Sequence, residues 1–417
     1  MSKLLAVIAL VVAGIFLGAS AANAEGSSAT TIVGQGHKKP LSLVDQAYFQ
    51  DLAKDFGVPY ADALKMYQGS DEFSEVVSRL ESEQGFVSGT WTTETGYGIG
   101  SLVFNRELSA DTRALLESSS LTFSVKIDES IPSADLLYEV QDRLTALLAN
   151  LAPGVELTVV PLSDVGVLEV ALADVSQDSI GSQVGLQPDM TAALSLISDI
   201  AKRLESDTEV RIVVKQSGST MVFEDQAAMA GGLSDGANCT GGFLVGNSIA
   251  WGISTTAHCM DTSVAYNGVQ YSGNFYVLSP SEGDVAWWEL PGARPNIAMF
   301  QSAPGIFTQV TGQGNPAKGT AVCHFGITSG KACSTVLLER VSVNGFETVT
   351  NTYKSLGAMW VTTQNVSAGG DSGGPWYSSS IARGIHYGRV SYGGVLRSLF
   401  SRIGAINLLN AYPLGSI

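Results

Sequence analysis

The chain has 417 residues, enough for two or three domains, and carries a net charge of −16. The charge is lopsided: residues 226–417 hold nine Lys/Arg against eight Asp/Glu, and the remainder 14 basic against 31 acidic residues. An acidic chain with a near-neutral second half lacks the basic footprint that nucleic acid requires, so that class of partner is excluded.

In chain order, "MSKLLAVIALVVAGIFLGASAANA" has one basic residue, Lys3, then an apolar run to Ala19 and the small residues Ala22-Asn23-Ala24. That layout is a secretory signal peptide, residues 1–24. The apolar run is nearly long enough for a membrane anchor, but an anchor has no use for the small-x-small end. The expected mature product is exported, extracellular and free of the membrane once the signal is removed.

Residues 25–40, rich in Gly, Ser and Thr, read as a loose segment. "LSLVDQAYFQDLAKDFGVPYADALKMY" and "SDEFSEVVSRLESEQG" place apolar residues three and four apart and predict helices. "FVSGTWTTETGYGIGSLVFN" changes to aromatic and β-branched residues punctuated by glycine, predicting a hairpin. These elements make residues 25–120 one unit. Residues 121–225 make a second: "LTFSVKI" a strand, "SADLLYEVQDRLTALLANL" a helix capped by Ser133, then two strands, a helix and a last strand, "EVRIVVKQ". The order β-α-β-β-α-β predicts a ferredoxin-like sandwich. No catalytic cluster occurs there, and His37 is the one histidine before residue 226.

Beyond Asp225 short β-rich runs alternate with Gly, Asn and Ser, and only "VLRSLFSRIGAINLL" near the end has a helical period. Residues 226–417 therefore read as an all-β barrel or sandwich closed by a helix. All four cysteines, Cys239, Cys259, Cys323 and Cys333, lie in this part. Their three possible pairings suit an exported protein. Metal-ligand spacings and nucleotide-binding loops are missing, so neither a metal nor a cofactor is expected.

One constellation carries chemistry: Ser372 in "GDSGGP", His258 in "STTAHCM" and Asp284 in "SEGDVAWWEL". A serine hydroxyl needs a base to take its proton, and the base needs a carboxylate to fix its tautomer and steady its charge. The order His, Asp, Ser is a known order for such a triad. Glycines around the serine allow a turn that aims the N–H groups of Gly370 and Ser372 at one spot, where an oxyanion can form. Gly-Asp-Ser-Gly-Gly alone can be a mere turn; Thr-Ala-His-Cys upstream argues otherwise. Asp261 also lies between His258 and Ser372, but it sits in a loop, whereas Asp284 precedes an apolar strand.

These segments resemble the chymotrypsin-like serine proteases, and within them the secreted bacterial branch of α-lytic protease and the streptogrisins. The resemblance implies an all-β double barrel over residues 226–417, preceded by an α+β pro-region that contains the ferredoxin-like unit. "NCTGGFLV" with "TTAHC" implies a Cys239–Cys259 bridge, and "AVCHFGITSGKACSTV" a Cys323–Cys333 bridge. A third bridge that the branch often has beside the pocket is missing, since "QNVSAGG" has no cysteine. The implied product is a monomeric serine endopeptidase made as a precursor. Its partners are protein or peptide substrates and its own pro-region, which assists folding and then inhibits.

By the same resemblance, the pocket for the residue before the cut bond is lined by Val366 and Ser367 on one side and by His386, Gly388 and Arg389 on the other. No aspartate lies near Val366, so cleavage after Lys or Arg is disfavoured. His386 stands where glutamate-specific members carry a pocket histidine, and Arg389 adds a second cation, so acidic residues are the expected preference. The rivals are a medium apolar preference, with His386 structural and Arg389 in solvent, and a protease-like binding protein without activity. Glu224 and Asp225 just before the junction suit self-release by an acid-directed enzyme. Tyr387 replaces the small serine usual beside the triad aspartate. Asp371 needs a buried partner, and His324 stands where the branch carries Arg or Lys. A protonated His324 paired with Asp371 would have a raised pKa, and its support would fade as pH rises through that value.

Overall fold

The structure is a computed structural model. It describes residues 28–149, 155–173, 190–217, 239–259, 264–266, 269–271, 274–278, 280–295, 298–347 and 352–415. The expected signal peptide, Asp261 and the acidic junction lie outside the described residues. Among those described, no helix is long and apolar enough to cross a membrane.

The first unit is a four-stranded sheet in the order β1-β4-β3-β2: β1 (Ser28–Val33), β2 (Phe86–Thr92), β3 (Ile99–Phe104) and β4 (Thr122–Ile127). The helices α1 (Leu43–Asp55), α2 (Tyr60–Tyr67), α3 (Ser70–Leu80) and α4 (Ala110–Ser118) pack on it. Ser42 caps α1 with a full capping box through Asp45. The period of α3 buries Phe73, Val77 and Leu80 against Trp91, Leu102 and Phe123.

Two expectations are corrected here. The segment 25–40 is not loose throughout, because β1 pairs antiparallel with β4 from Ser28↔Ile127 to Val33↔Thr122. The ferredoxin-like unit is not formed, because its first strand, β4, joins the N-terminal sheet between β1 and β3. The reason is packing: Phe123 and Val125 on one face of β4 fit the core under α3, where Ile32 also sits.

What remains of the second unit is α5 (Ala134–Ala149), β5 (Leu157–Leu162), β6 (Val167–Ala173), α6 (Met190–Thr208) and β7 (Arg211–Ser217). Here β6 pairs antiparallel with β5 but parallel with β7, so β7 takes the place a ferredoxin-like fold reserves for its first strand. The free edge of β5 then pairs with a strand of the C-terminal half, Val159 opposite Ser342.

The C-terminal half opens with a five-stranded antiparallel sheet built on β8 (Leu244–Gly246), β9 (Trp251–Thr255), β12 (Phe275–Val277) and β13 (Ala286–Glu289), with β10 (Val264–Tyr266) and β11 (Val269–Tyr271) paired separately between β9 and β12. A last short strand, Tyr412–Pro413, returns from the chain end to pair with β8. After β14 (Met299–Ala303), β15 (Ile306–Gln309) and β16 (Gly312–Gln313), six strands follow: β17 (Ala321–Gly326), β18 (Gly330–Glu347), β19 (Thr352–Thr362), β20 (Pro375–Ser378), β21 (Ile381–Tyr392) and β22 (Val395–Arg402). They run in the order β17-β20-β21-β22-β19-β18, and the start of β18 pairs back onto β17, closing an antiparallel barrel, while the part of β18 that runs beyond β17 carries β5.

The expected closing helix is also corrected: Val395–Arg402 is the strand β22, and only Gly404–Asn407 is helical. With ladders to β21 and β19 on either side, its backbone groups are satisfied by the barrel, and this overrides the local three-to-four period. Both bridges, Cys239–Cys259 and Cys323–Cys333, are formed, closing loops of 20 and 10 residues.

Candidate active site

At the end of β9 the chain makes a short 3-10 turn, Ala257–Cys259, tethered through Cys259 to Cys239. The turn presents His258. Asp284 arrives just before β13, whose Ala286 pairs with Thr255 of β9, so neighbouring strand ends bring base and carboxylate together. His258 Nδ1 is 2.6 Å from Asp284 Oδ2, and the His258 amide donates to the same oxygen at 3.3 Å. The two side chains are 7% and 4% exposed. A carboxylate bound to Nδ1–H leaves Nε2 as the basic nitrogen.

The Asp284 amide donates to Ser401 Oγ at 2.9 Å, and that hydroxyl lies 3.4 Å from Asp284 O. Since Ser401 belongs to β22, the closed barrel grips an aspartate contributed by the other sheet. Sequence reasoning missed Ser401; its signal is the alternation in "SLFSR", once that run is read as a strand.

Ser372 lies between Gly370, with φ 92°, and Gly373, with φ 86°. At Gly373 a Cβ would sit 2.2 Å from the carbonyl oxygen of Thr240, so only glycine fits the turn. Ser372 Oγ donates to the main-chain oxygen of Tyr387 at 3.1 Å, and the Tyr387 ring packs edge-on against the His258 imidazole, centroids 5.0 Å apart. Tyr387 itself is buried against Leu338, Val341, Met359 and Leu399. It thus fills with an aromatic wall the place expected to hold a small serine. Among the described residues, neither the Gly370 nor the Ser372 amide donates to another protein group, which leaves both for an oxyanion.

Asp371, fully buried, is a clamp. Its Oδ2 accepts from the Ala368 amide at 2.7 Å, and its Oδ1 from the amides of Thr328 and Ser329 at 2.9 and 3.2 Å. His324 Nε2 stands 3.6 Å from Oδ2, an ion-pair separation just outside hydrogen-bond reach. Burial raises the carboxyl pKa, but the nearby His324 and the Ser329 contact outweigh it and hold the group well below the usual range.

His386 is 1% exposed, with its ring 4.6 Å from that of His324 and its Nδ1 accepting from Trp376 Nε1 at 3.2 Å. An indole only donates, so Nδ1 carries no proton and a neutral ring is protonated at Nε2. Burial, and then the charges of His324 and His258, hold the His386 pKa well below its ordinary value, against an opposing pull from Asp371.

Across β21 and β22, His386 pairs with Phe400 and Arg389 with Ser398, with a register shift between His386 and Gly388. That extra residue places His386 and Arg389 on one face, where strict alternation would have split them. Ser398 Oγ accepts from the Val366 amide at 2.9 Å and lies 3.0 Å from Ser367 Oγ, so both expected pocket walls meet at Ser398. Arg389 is half-buried, and burial lowers its guanidinium pKa. A Cβ on Gly388 would meet open space.

No family model matches the chain. Among solved structures the chain is similar to a glutamic-acid-specific serine protease that uses a histidine triad in substrate binding, at 24% identity and TM-score 0.35, over 42% of this chain and 91% of that one. A Nocardiopsis protease matches at 21% identity and TM-score 0.36, over 44% and 96%. Protease A of Thermobifida fusca matches at 22% and 0.32, over 42% and 90%. The likeness is one of fold, to chymotrypsin-like bacterial serine proteases.

Proposed function

We propose that the chain is the precursor of an exported serine endopeptidase that hydrolyses peptide bonds through an acyl-enzyme and releases itself from its N-terminal half. The observation that carries this reading is the 2.6 Å contact between His258 Nδ1 and Asp284 Oδ2 in the same buried site as Ser372. Ser372 Oγ attacks the peptide carbonyl while His258 Nε2 takes its proton, and Asp284 steadies the imidazolium. The amides of Gly370 and Ser372 receive the oxyanion. Collapse expels the amine with the proton from His258, and water then repeats both steps to free the acid.

A serine-directed phosphonate tests the reading. It should label the processed parent at Ser372 and abolish peptide cleavage, and Ser372→Ala should accumulate unprocessed. A folded, processed parent that takes no label and cuts nothing would be a protease-like binding protein.

The preferred residue before the cut is acidic in this reading, and Arg389 supplies the cation. His386, buried and held neutral, acts as an Nε2–H donor, while Ser367 and Ser398 offer hydroxyls. Digestion of an unbiased peptide library is the test: cuts after Glu or Asp are expected, and cuts after apolar residues would retire the acidic pocket.

The N-terminal half acts as folding assistant and inhibitor of the half that follows. Supporting this are the β5 edge added to β18, the Tyr48 hydroxyl donating to Ala321 O at 2.8 Å, and the pairs Asp51–Lys331 and Asp71–Arg383.

A further inference from the structure

We propose that Thr240 is a positioning residue of the oxyanion loop: its buried hydroxyl and its amide set the peptide units 370–371 and 372–373, which bracket the unit that carries the Ser372 N–H. The inference rests on Ser372 being the nucleophile. Thr240 is 1% exposed and follows Cys239, whose bridge to Cys259 anchors the His258 turn. Its Oγ1 donates to the carbonyl oxygen of Gly370 at 2.8 Å and accepts from the Ile327 amide at 3.1 Å. Its own amide donates to the carbonyl oxygen of Ser372 at 2.7 Å.

A peptide unit is planar, so holding the Gly370 carbonyl fixes the unit 370–371 and holding the Ser372 carbonyl fixes the unit 372–373. The Ser372 N–H lies in the unit between these two, and the Gly370 N–H in the unit just before them, so both oxyanion donors are limited to what rotation at the intervening Cα atoms allows. Gly370, at φ 92°, has no side chain to resist rotation, so its orientation must come from outside. Thr240 holds its carbonyl, and Asp371 holds the Ala368 amide two residues before it. The turn at residues 327–329 joins the two clamps, because Ile327 N binds Thr240 while Thr328 N and Ser329 N bind Asp371. Cys239-Thr240 therefore links the turn carrying the base to the loop carrying the nucleophile, which sets their relative position without touching substrate.

The test compares the processed parent with Thr240→Val, which keeps the shape and removes the donor, and Thr240→Ser, which keeps the hydroxyl. Rates are expressed per active site titrated with the phosphonate, so that lost folding does not count as lost catalysis. With Val, kcat should fall about 30-fold, with KM nearly unchanged, since misplaced oxyanion donors act in the transition state. The inhibition constant of a peptide aldehyde, whose adduct places an oxyanion in the same spot, should rise by about the same factor. Ser should recover most of both. If Val is not secreted, Thr240→Ala carries the same comparison against Ser. A Val or Ala enzyme with parental kcat and aldehyde affinity per site overturns the proposal, as does a Ser enzyme as impaired as Val. A parent that neither takes the phosphonate nor cuts peptide overturns the protease reading and this proposal with it.

Discussion

His258 and Asp284 meet because β9 and β13 are neighbours, and the carboxylate has one chemical duty there. Asp284→Asn keeps the shape but reverses the hydrogen bond to Nδ1, so His258 is held in the wrong tautomer. The expected fall in kcat is about four orders of magnitude, read in steady-state assays of the processed enzyme. Two other carboxylates set how stability depends on pH, with opposite signs. Asp371 is held below its ordinary value of 3.8, so its contribution is complete above that value and is lost as pH falls through the depressed one. Glu339 accepts from the Lys318 amide at 2.6 Å, and burial, then the Glu81 charge, push its carboxyl up to about 8. Its contribution is complete below its ordinary value of 4.5 and is lost as pH rises through about 8. Urea unfolding of the full chain should therefore show stability falling between about pH 4.5 and about pH 8, and Glu339→Gln should flatten that slope. An unchanged slope in the variant would remove Glu339 as its source.

Among the elements that join the halves are α1 and β5. Along α1, Tyr48 reaches the buried carbonyl of Ala321, and Asp55 Oδ2 accepts from the Cys333 amide at 2.9 Å. Tyr48→Phe removes the shorter of two side-chain donors to that carbonyl and leaves it Ser378 Oγ at 3.3 Å, at a cost of about 1 kcal/mol. Titration of the separated N-terminal half onto residues 226–417 should then weaken roughly fivefold, as that energy requires. The second contact is the strand pair β5–β18. Thr158→Pro removes an amide from the strand that β18 uses as a neighbour, and should weaken the same titration more than Tyr48→Phe does. Equal affinities would mean that the sheet edge contributes little.

The chain as a whole has a closed barrel that joins strands far apart in sequence, from Ala321 to Arg402, and such topologies fold slowly because loop closure precedes the rewarding contacts. The N-terminal half presents a ready strand edge to β18 and a core continuous with Phe243, Val285 and Phe300. Refolding residues 226–417 with and without the separately produced N-terminal half should give active enzyme only, or far faster, when both are present. Equal yields and rates would make residues 25–225 an attached module rather than a folding assistant.

Much of this was legible in the order of residues, because the signals are local. The helices α1, α2, α3 and α5 follow from a three-to-four spacing of apolar side chains, and the β2–β3 and β5–β6 pairs from β-branched runs divided by turns. The grouping of His258, Asp284 and Ser372 was legible because the chemistry of a hydroxyl nucleophile permits few residue types in few arrangements. Strand partnership was not legible. A strand carries no local mark of its neighbour, so "LTFSVKI" left the second unit for the first, and "VLRSLFSR" became barrel wall instead of helix once ladders on both sides outweighed its period. The same limit hid Thr240 and Ser401, single hydroxyls whose partners lie 130 and 117 residues away. Side-chain type is written along the chain, but which buried carbonyl each hydroxyl meets depends on how the two sheets close around it.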